Sequence, residues 1–182
     1  MFEGLIGAII GGLLAIGGGW AQAAYYRSKR IEALKAALAH EIATISSLAR
    51  INQYAALLRA QADLIVGGDE DALKRPFMVM ATHNYFAVFD ANAGDLGELE
   101  TSLAGKVIAI YQAAKSWLDS LSPASVGEIQ RYGPVELAGY YRLLAERADR
   151  ICDLADDTVA GLSSEVVRHQ IEENARRLTR EA

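Results

Sequence analysis

Cysteine is all but absent. Cys152 stands alone, so no internal disulfide can staple the chain, and no second thiol completes a metal-ligand spacing. Such usage suits a reducing cytosol. A basic excess is missing too: 18 Lys and Arg face 23 Asp and Glu, for a net charge of −5. Nucleic-acid surfaces rest on a clear basic stripe, so no nucleic acid is expected as a partner. The histidines, His40, His83 and His169, are scattered, and His40-Glu41 does not open an HExxH helix. Arg75 and His83 lie too far apart for the Arg–spacer–His pattern of all-helical HEPN-type ribonucleases, and Pro76 interrupts them. There is no Walker loop, dinucleotide fingerprint or nucleophile elbow. The segment from Asp90 to Glu98 has the composition of a calcium loop. The positions that demand Gly and Glu hold Asp95 and Thr101, which leaves a polar helix end turned by Gly94 and Gly97. These absences leave no catalytic residue, no metal ligand and no cofactor to expect, and the chain reads as a non-enzyme.

What is present begins with an apolar run. Leu5 to Tyr26 reads LIGAIIGGLLAIGGGWAQAAYY, with Gln22 its only strongly polar side chain. About 20 apolar residues cross a bilayer's hydrocarbon core, so a transmembrane helix is expected over 1–26. A cleaved signal peptide is disfavoured because Met1-Phe2-Glu3 carries no basic side chain. Arg27, Lys29, Arg30 and Lys35 follow the run. Positive flanks stay on the cytoplasmic side, which predicts a single-pass protein of a bacterial inner membrane, N-terminus outside and C-terminal domain cytoplasmic. Trp20, Tyr25, Tyr26, Arg27, Lys29 and Arg30 would then mark the inner interface with the lipid bilayer. Gly7, Gly11, Ala15 and Gly19 recur at steps of four and form one small-residue ridge. Such ridges let helix backbones approach closely, so a glycine zipper and a homo-oligomer are expected.

The remaining residues, 27–182, are expected to form one helical bundle. No Pro or Gly occurs from Arg27 to Val66, a stretch of 40 residues. Ile31, Leu34, Leu38, Ile42, Ile45, Leu48, Ile51, Ala55, Leu58, Ala62 and Ile65 recur there at steps of three or four. A rod of about 60 Å is predicted, continuous with the membrane helix and ended by Gly67-Gly68. A short helix is expected from near Thr82. Thr101 to Leu121 reads as another, with Leu103, Val107, Ile110, Tyr111, Ala114, Trp117 and Leu121 on one face. Ser122 to Ser125 and Gly133-Pro134 are breaks. The last helix begins near Val135, with Leu137, Tyr140, Tyr141, Leu144, Ala148, Ile151, Leu154 and Ala155 as its stripe, and runs past Gly161. Aromatic side chains at these spacings read as core. Glu41, between Leu38 and Ile42, is expected to bond across the bundle to Asn84 or Asn92. The fold class is therefore all-α: an N-terminal transmembrane helix continuous with a long helix of an antiparallel cytoplasmic bundle.

The segment Tyr85 to Leu99, with Tyr111 downstream and Ala37-Leu38-Ala39-His40-Glu41-Ile42 upstream, resembles a pattern in small bacterial single-pass membrane proteins of unknown function. In layout alone the chain is also similar to the accessory membrane protein of type VI-B CRISPR systems, a resemblance that implies an antiphage role through membrane permeability. Two functions are expected. In one, the chain self-associates through its glycine ridge while the bundle organises or gates a membrane assembly, a pore included. In the other, the bundle is a tethered binding or scaffold module that recruits a cytosolic protein partner.

Overall fold

The structure, a computed structural model, describes residues 2–79, 84–131, 133–163 and 171, with the side chains of 2–17 left out. The described residues are helical and contain no strand. Helix α1 spans Phe2–Ile51, α2 Tyr54–Val66, α3 Glu70–Lys74 and α4 Ala87–Asn92. A 3-10 helix, Ala93–Glu98, leads into α5 Thr101–Ser120, α6 Pro123–Gln130 and α7 Pro134–Leu162. The chain divides into two units, Met1–Lys35 and Ala36–Ala182.

In the first unit one expectation is corrected. Among the described residues no helix is long and apolar enough to cross a membrane. Along α1 the residues from Gly18 meet Gln22 and then Arg27, Lys29 and Arg30 within a few turns, and charged side chains are costly in a hydrocarbon core. The transmembrane helix over 1–26, the single-pass inner-membrane location with its orientation, and the glycine zipper are withdrawn on that finding. Gly7, Gly11 and Ala15 lie outside the residues with described side chains. Gly19 is described, and a methyl group added there would meet nothing within 4 Å.

The second unit is built on α7, against which α2, α5 and α6 pack. Gly133, at φ 120°, turns the chain into α7, and Pro134 supplies its first helical residue, where a missing N–H is harmless. Ser122 caps α6 by accepting from the Ser125 amide, again with proline at the first position. Asp69 caps α3 by accepting from the Ala72 amide at 3.0 Å. Gly67-Gly68 ends α2 as expected, with Gly68 at φ 81°.

The predicted faces of α5 and α7 are the observed ones. All seven α5 stripe residues, Leu103 to Leu121, are buried. On α7, Leu137, Tyr141, Leu144, Ala148 and Ala155 are buried, while Tyr140, Ile151 and Leu154 are half-buried. Lys106 pairs with Asp157 at 2.6 Å, and the Tyr140 hydroxyl donates to the Ser120 carbonyl at 2.9 Å. That register makes α5 and α7 antiparallel. Gly161 allows their close approach, since a methyl there would sit 3.1 Å from Leu103 Cδ1.

The predicted 40-residue rod is broken. Helix α1 stops at Ile51, and Gln53 adopts left-handed φ 52° before α2 begins. The chain keeps its direction through the break. Arg50 pairs with Asp156 at 2.6 Å, Arg59 with Asp149, and Arg142 with Asp63 at 2.9 Å, an antiparallel ladder along α7. The reason for the break is phase. Ile42 and Leu58 are both fully buried. On a straight helix at 100° per residue they would point about 160° apart. The left-handed residue resets the phase so that both faces reach the core. The short helix expected from near Thr82 starts only at Ala87, as α4, since Asn84 to Phe86 are not helical; Thr82 itself, like His83, His169 and the charged end beyond Gly161, lies outside the described residues.

Candidate functional site

Glu41 sits on α1 beside the core face, and its carboxylate is the polar centre of the second unit. One oxygen accepts from the Val88 amide at 2.7 Å. The other accepts from the Phe89 amide at 3.0 Å and from the Tyr111 hydroxyl at 2.6 Å. Helix α4 has no side-chain cap of its own, so a carboxylate from another helix satisfies its orphan donors. The cross-bundle bond expected of Glu41 exists, but its partners differ. Asn84 accepts from the Phe86 amide at 3.1 Å, and Asn92 donates to the Val88 carbonyl at 2.7 Å.

Aromatic rings reinforce the attachment. Phe89 stacks on Tyr111 with centroids 4.0 Å apart, and Phe86 meets the same ring edge-on at 5.9 Å. Lys115 pairs with Asp90 at 2.6 Å and lies over the rings of Phe86 and Phe89. Burial, and then the Glu41 hydrogen bond and charge, hold the Tyr111 phenol far above its ordinary range. Tyr111 therefore stays a hydrogen-bond donor. The segment from Asp90 to Glu98 is thus the end of α4 and a 3-10 helix, with Leu96 buried. Among the described residues no group of three or more His, Cys, Asp or Glu side chains could hold a metal ion.

Next to this attachment, at the break between α1 and α2, lies a cleft of about 120 Å³. Ile45, Leu48 and Ala49 of α1, Ala114, Trp117 and Leu118 of α5, and Ala148 and Ile151 of α7 line it. Val79, Tyr85 and Phe86 form a further wall, and Asn52 and Tyr54 stand at the break itself. The Tyr54 ring lies 5.7 Å from Trp117 and 6.4 Å from Phe77. Trp117 is fixed by its indole N–H, which donates to the Leu144 carbonyl at 2.8 Å. Space remains because three facing positions are alanine: Ala49, Ala114 and Ala148. Val79 is tied to the bundle by its amide, which donates to the Leu121 carbonyl at 3.0 Å.

The sequence-predicted residues are placed elsewhere. Trp20, Tyr25 and Tyr26 are exposed at 78 %, 60 % and 62 %. Tyr25 meets Tyr26 edge-on, and Lys29 pairs with Glu32 at 3.4 Å beside the Tyr25 ring. Arg27 and Arg30 belong to the same stretch of α1. His40 lies half-buried, with Nδ1 donating to the Ala36 carbonyl at 2.8 Å. Of the aromatic residues expected in the core, Phe86, Tyr111, Trp117 and Tyr141 are buried, whereas Tyr85 is exposed. The cleft itself was not anticipated. Its signal was available in Ala114 and Ala148 on two stripes and in the phase slip between Ile42 and Leu58. No family model, curated protein or solved structure matches the chain.

Proposed function

We propose that the chain is a binding module that recognises an apolar group in the cleft at the helix break. The observation that carries this reading is the cleft: apolar walls from three helices and from Val79, Tyr85 and Phe86, an ordered tryptophan, and Asn52 and Tyr54 at the helix break. Largely preformed apolar clefts with a few convergent polar groups are the usual form of ligand sites. No carboxylate, histidine, lysine or cysteine lines it, and its hydroxyl and amide groups come from Tyr54, Tyr85 and Asn52. The reading keeps the expectation of a binding module and does not use the apolar run.

Benzene is the simplest probe, because a dry apolar cavity of about 150 Å³ is enough to bind it. Titration of the full chain is expected to give saturable shifts at the Trp117 indole N–H and at the Ala114 and Ala148 amides. Ala148→Leu fills the space and is expected to abolish those shifts while the helical circular dichroism is kept. Absence of saturable shifts in the unsubstituted chain overturns the proposal.

A further inference from the structure

The proposed binding role leaves open which ligand the cleft takes and what sets its shape. We infer that the cleft takes a small neutral aromatic molecule, one ring with a single hydrogen-bonding group, and that Glu41 is the positioning residue that holds the wall against which it packs.

The size argument comes first. About 120 Å³ is on the scale of a cavity that accepts one benzene ring. Two fused rings with substituents need more room than the alanines leave. Charge comes second. None of the lining residues is ionised at neutral pH, and burying an ion without a partner is costly, so a carboxylate or ammonium group is selected against. The third element is the polar end. Asn52 donates through Nδ2 to the Tyr54 hydroxyl at 3.2 Å. An amide has two hydrogens and a carbonyl, so this bond leaves Asn52 able to meet one more polar group. The walls from α1, α5 and α7 are helices bonded along their own backbones, and the Val79 amide is taken by the Leu121 carbonyl, which offers little to a peptide backbone. A free small molecule therefore fits better than a tyrosine side chain on a chain.

The role of Glu41 follows from what α4 lacks. None of the side chains of α4 is buried. Val88, Phe89 and Asn92 are only half-buried, and six residues are too few for a helix to hold itself. It is kept in place by the Glu41 carboxylate on the Val88 and Phe89 amides, by the Phe89–Tyr111 stack and by the Lys115–Asp90 pair. Phe86, the cleft-wall residue, immediately precedes α4 and shares the Tyr111 ring with Phe89. Loosening the carboxylate contact releases the wall. By reciprocity, filling the cleft tightens the contact.

The test uses phenol, benzene, benzoate and N-acetyltyrosinamide on the full chain, followed by the Trp117 indole signal. Phenol is expected to saturate, with benzoate and N-acetyltyrosinamide each at least about tenfold weaker. Asn52→Ala is expected to weaken phenol about fivefold and leave benzene unchanged. Glu41→Gln is expected to weaken phenol and benzene alike by about tenfold. Phenol should also raise hydrogen-exchange protection of the Val88 and Phe89 amides in the unsubstituted chain and not in Glu41→Gln. Should Glu41→Gln fail to fold, Tyr111→Phe takes its place, since it keeps the ring stack and removes one donor; a loss of about threefold is then expected. Benzoate binding as tightly as phenol overturns the neutral ligand, and N-acetyltyrosinamide doing so overturns the free molecule. Unchanged affinity and protection in the folded Glu41 or Tyr111 variant overturn the positioning role. In each of these cases benzene binding still stands, whereas its absence defeats the binding module itself.

Discussion

Single side chains decide more here than their number suggests. Ser46 is 3 % exposed, and its hydroxyl lacks a well-formed hydrogen bond. The Cys152 thiol lies nearby, and there burial outweighs the lowering from Ser46 and Arg50, so the thiol is pushed up. A buried hydroxyl without a partner lowers stability, and replacing it by an apolar group is neutral or better. Ser46→Ala should therefore raise unfolding stability by about 0.5–1 kcal/mol, read as a higher urea midpoint at unchanged slope. A clear loss of stability would show that the hydroxyl is satisfied after all. Glu41 marks what was legible at this scale. Its place beside Leu38 and Ile42 foretold a bond across the bundle. Its partners were not readable, because backbone amides carry no residue signature and Asn84 and Asn92 looked equally suitable.

Elements were legible wherever a breaker or a phase signal stood in the sequence. Gly133-Pro134 placed the start of α7 and Gly67-Gly68 the end of α2, and regular stripes placed the buried faces of α5 and α7. Ser122 to Ser125, expected as a break, instead caps and opens α6. The break at Gln53 has no such punctuation, since Ile51, Asn52 and Gln53 all tolerate a helix. It is written instead in the mean step of the stripe, which is too short for a straight helix to keep one face inward. Gln53 holds φ 52°, a conformation that costs an L side chain about 1–2 kcal/mol. Gln53→Gly should therefore stabilise the chain by up to about 1 kcal/mol, and Gln53→Val should destabilise it by more than that. Thermal denaturation of both variants separates this from a passive loop. If valine is harmless, the left-handed residue is not what resets the phase. The same contrast extends to Gly133, at φ 120° with Glu136 Oε2 3.1 Å from an added methyl group. Alanine there meets both a strained backbone and a contact.

Across the whole molecule, buried phenols and one thiol make stability depend on alkali. The Tyr141 side chain is fully buried, and its hydroxyl donates to the Phe77 carbonyl at 3.0 Å. Burial pushes its pKa up to about 12. Tyr111 is shifted further in the same direction, by burial and then by Glu41, and Cys152 is raised from 9.0 by burial. Each folded-state value lies above the unfolded one. The folded chain therefore holds protons that the unfolded chain releases, and stability falls as pH rises. The contribution is complete below the unfolded thiol range. It begins to be lost near pH 9 through Cys152 and falls more steeply above about 10, where unfolded tyrosine ionises. Tyr141 continues to lose its share up to its folded value of about 12. That share amounts to about 3 kcal/mol, since each tenfold change in acidity between the folded and unfolded phenol is worth about 1.4 kcal/mol. Urea unfolding at a series of pH values should show a flat region from about pH 7 to 8.5 and a progressive fall beyond it. Tyr141→Phe gives up its hydrogen bond to Phe77 at neutral pH, a loss of about 1 kcal/mol. Its stability should then decline less steeply than the unsubstituted chain between about pH 10 and 12. Parallel curves for the two proteins would mean that this phenol ionises as freely in the fold as outside it, and that burial of Tyr141 against the rest of the bundle does not govern the alkaline limit.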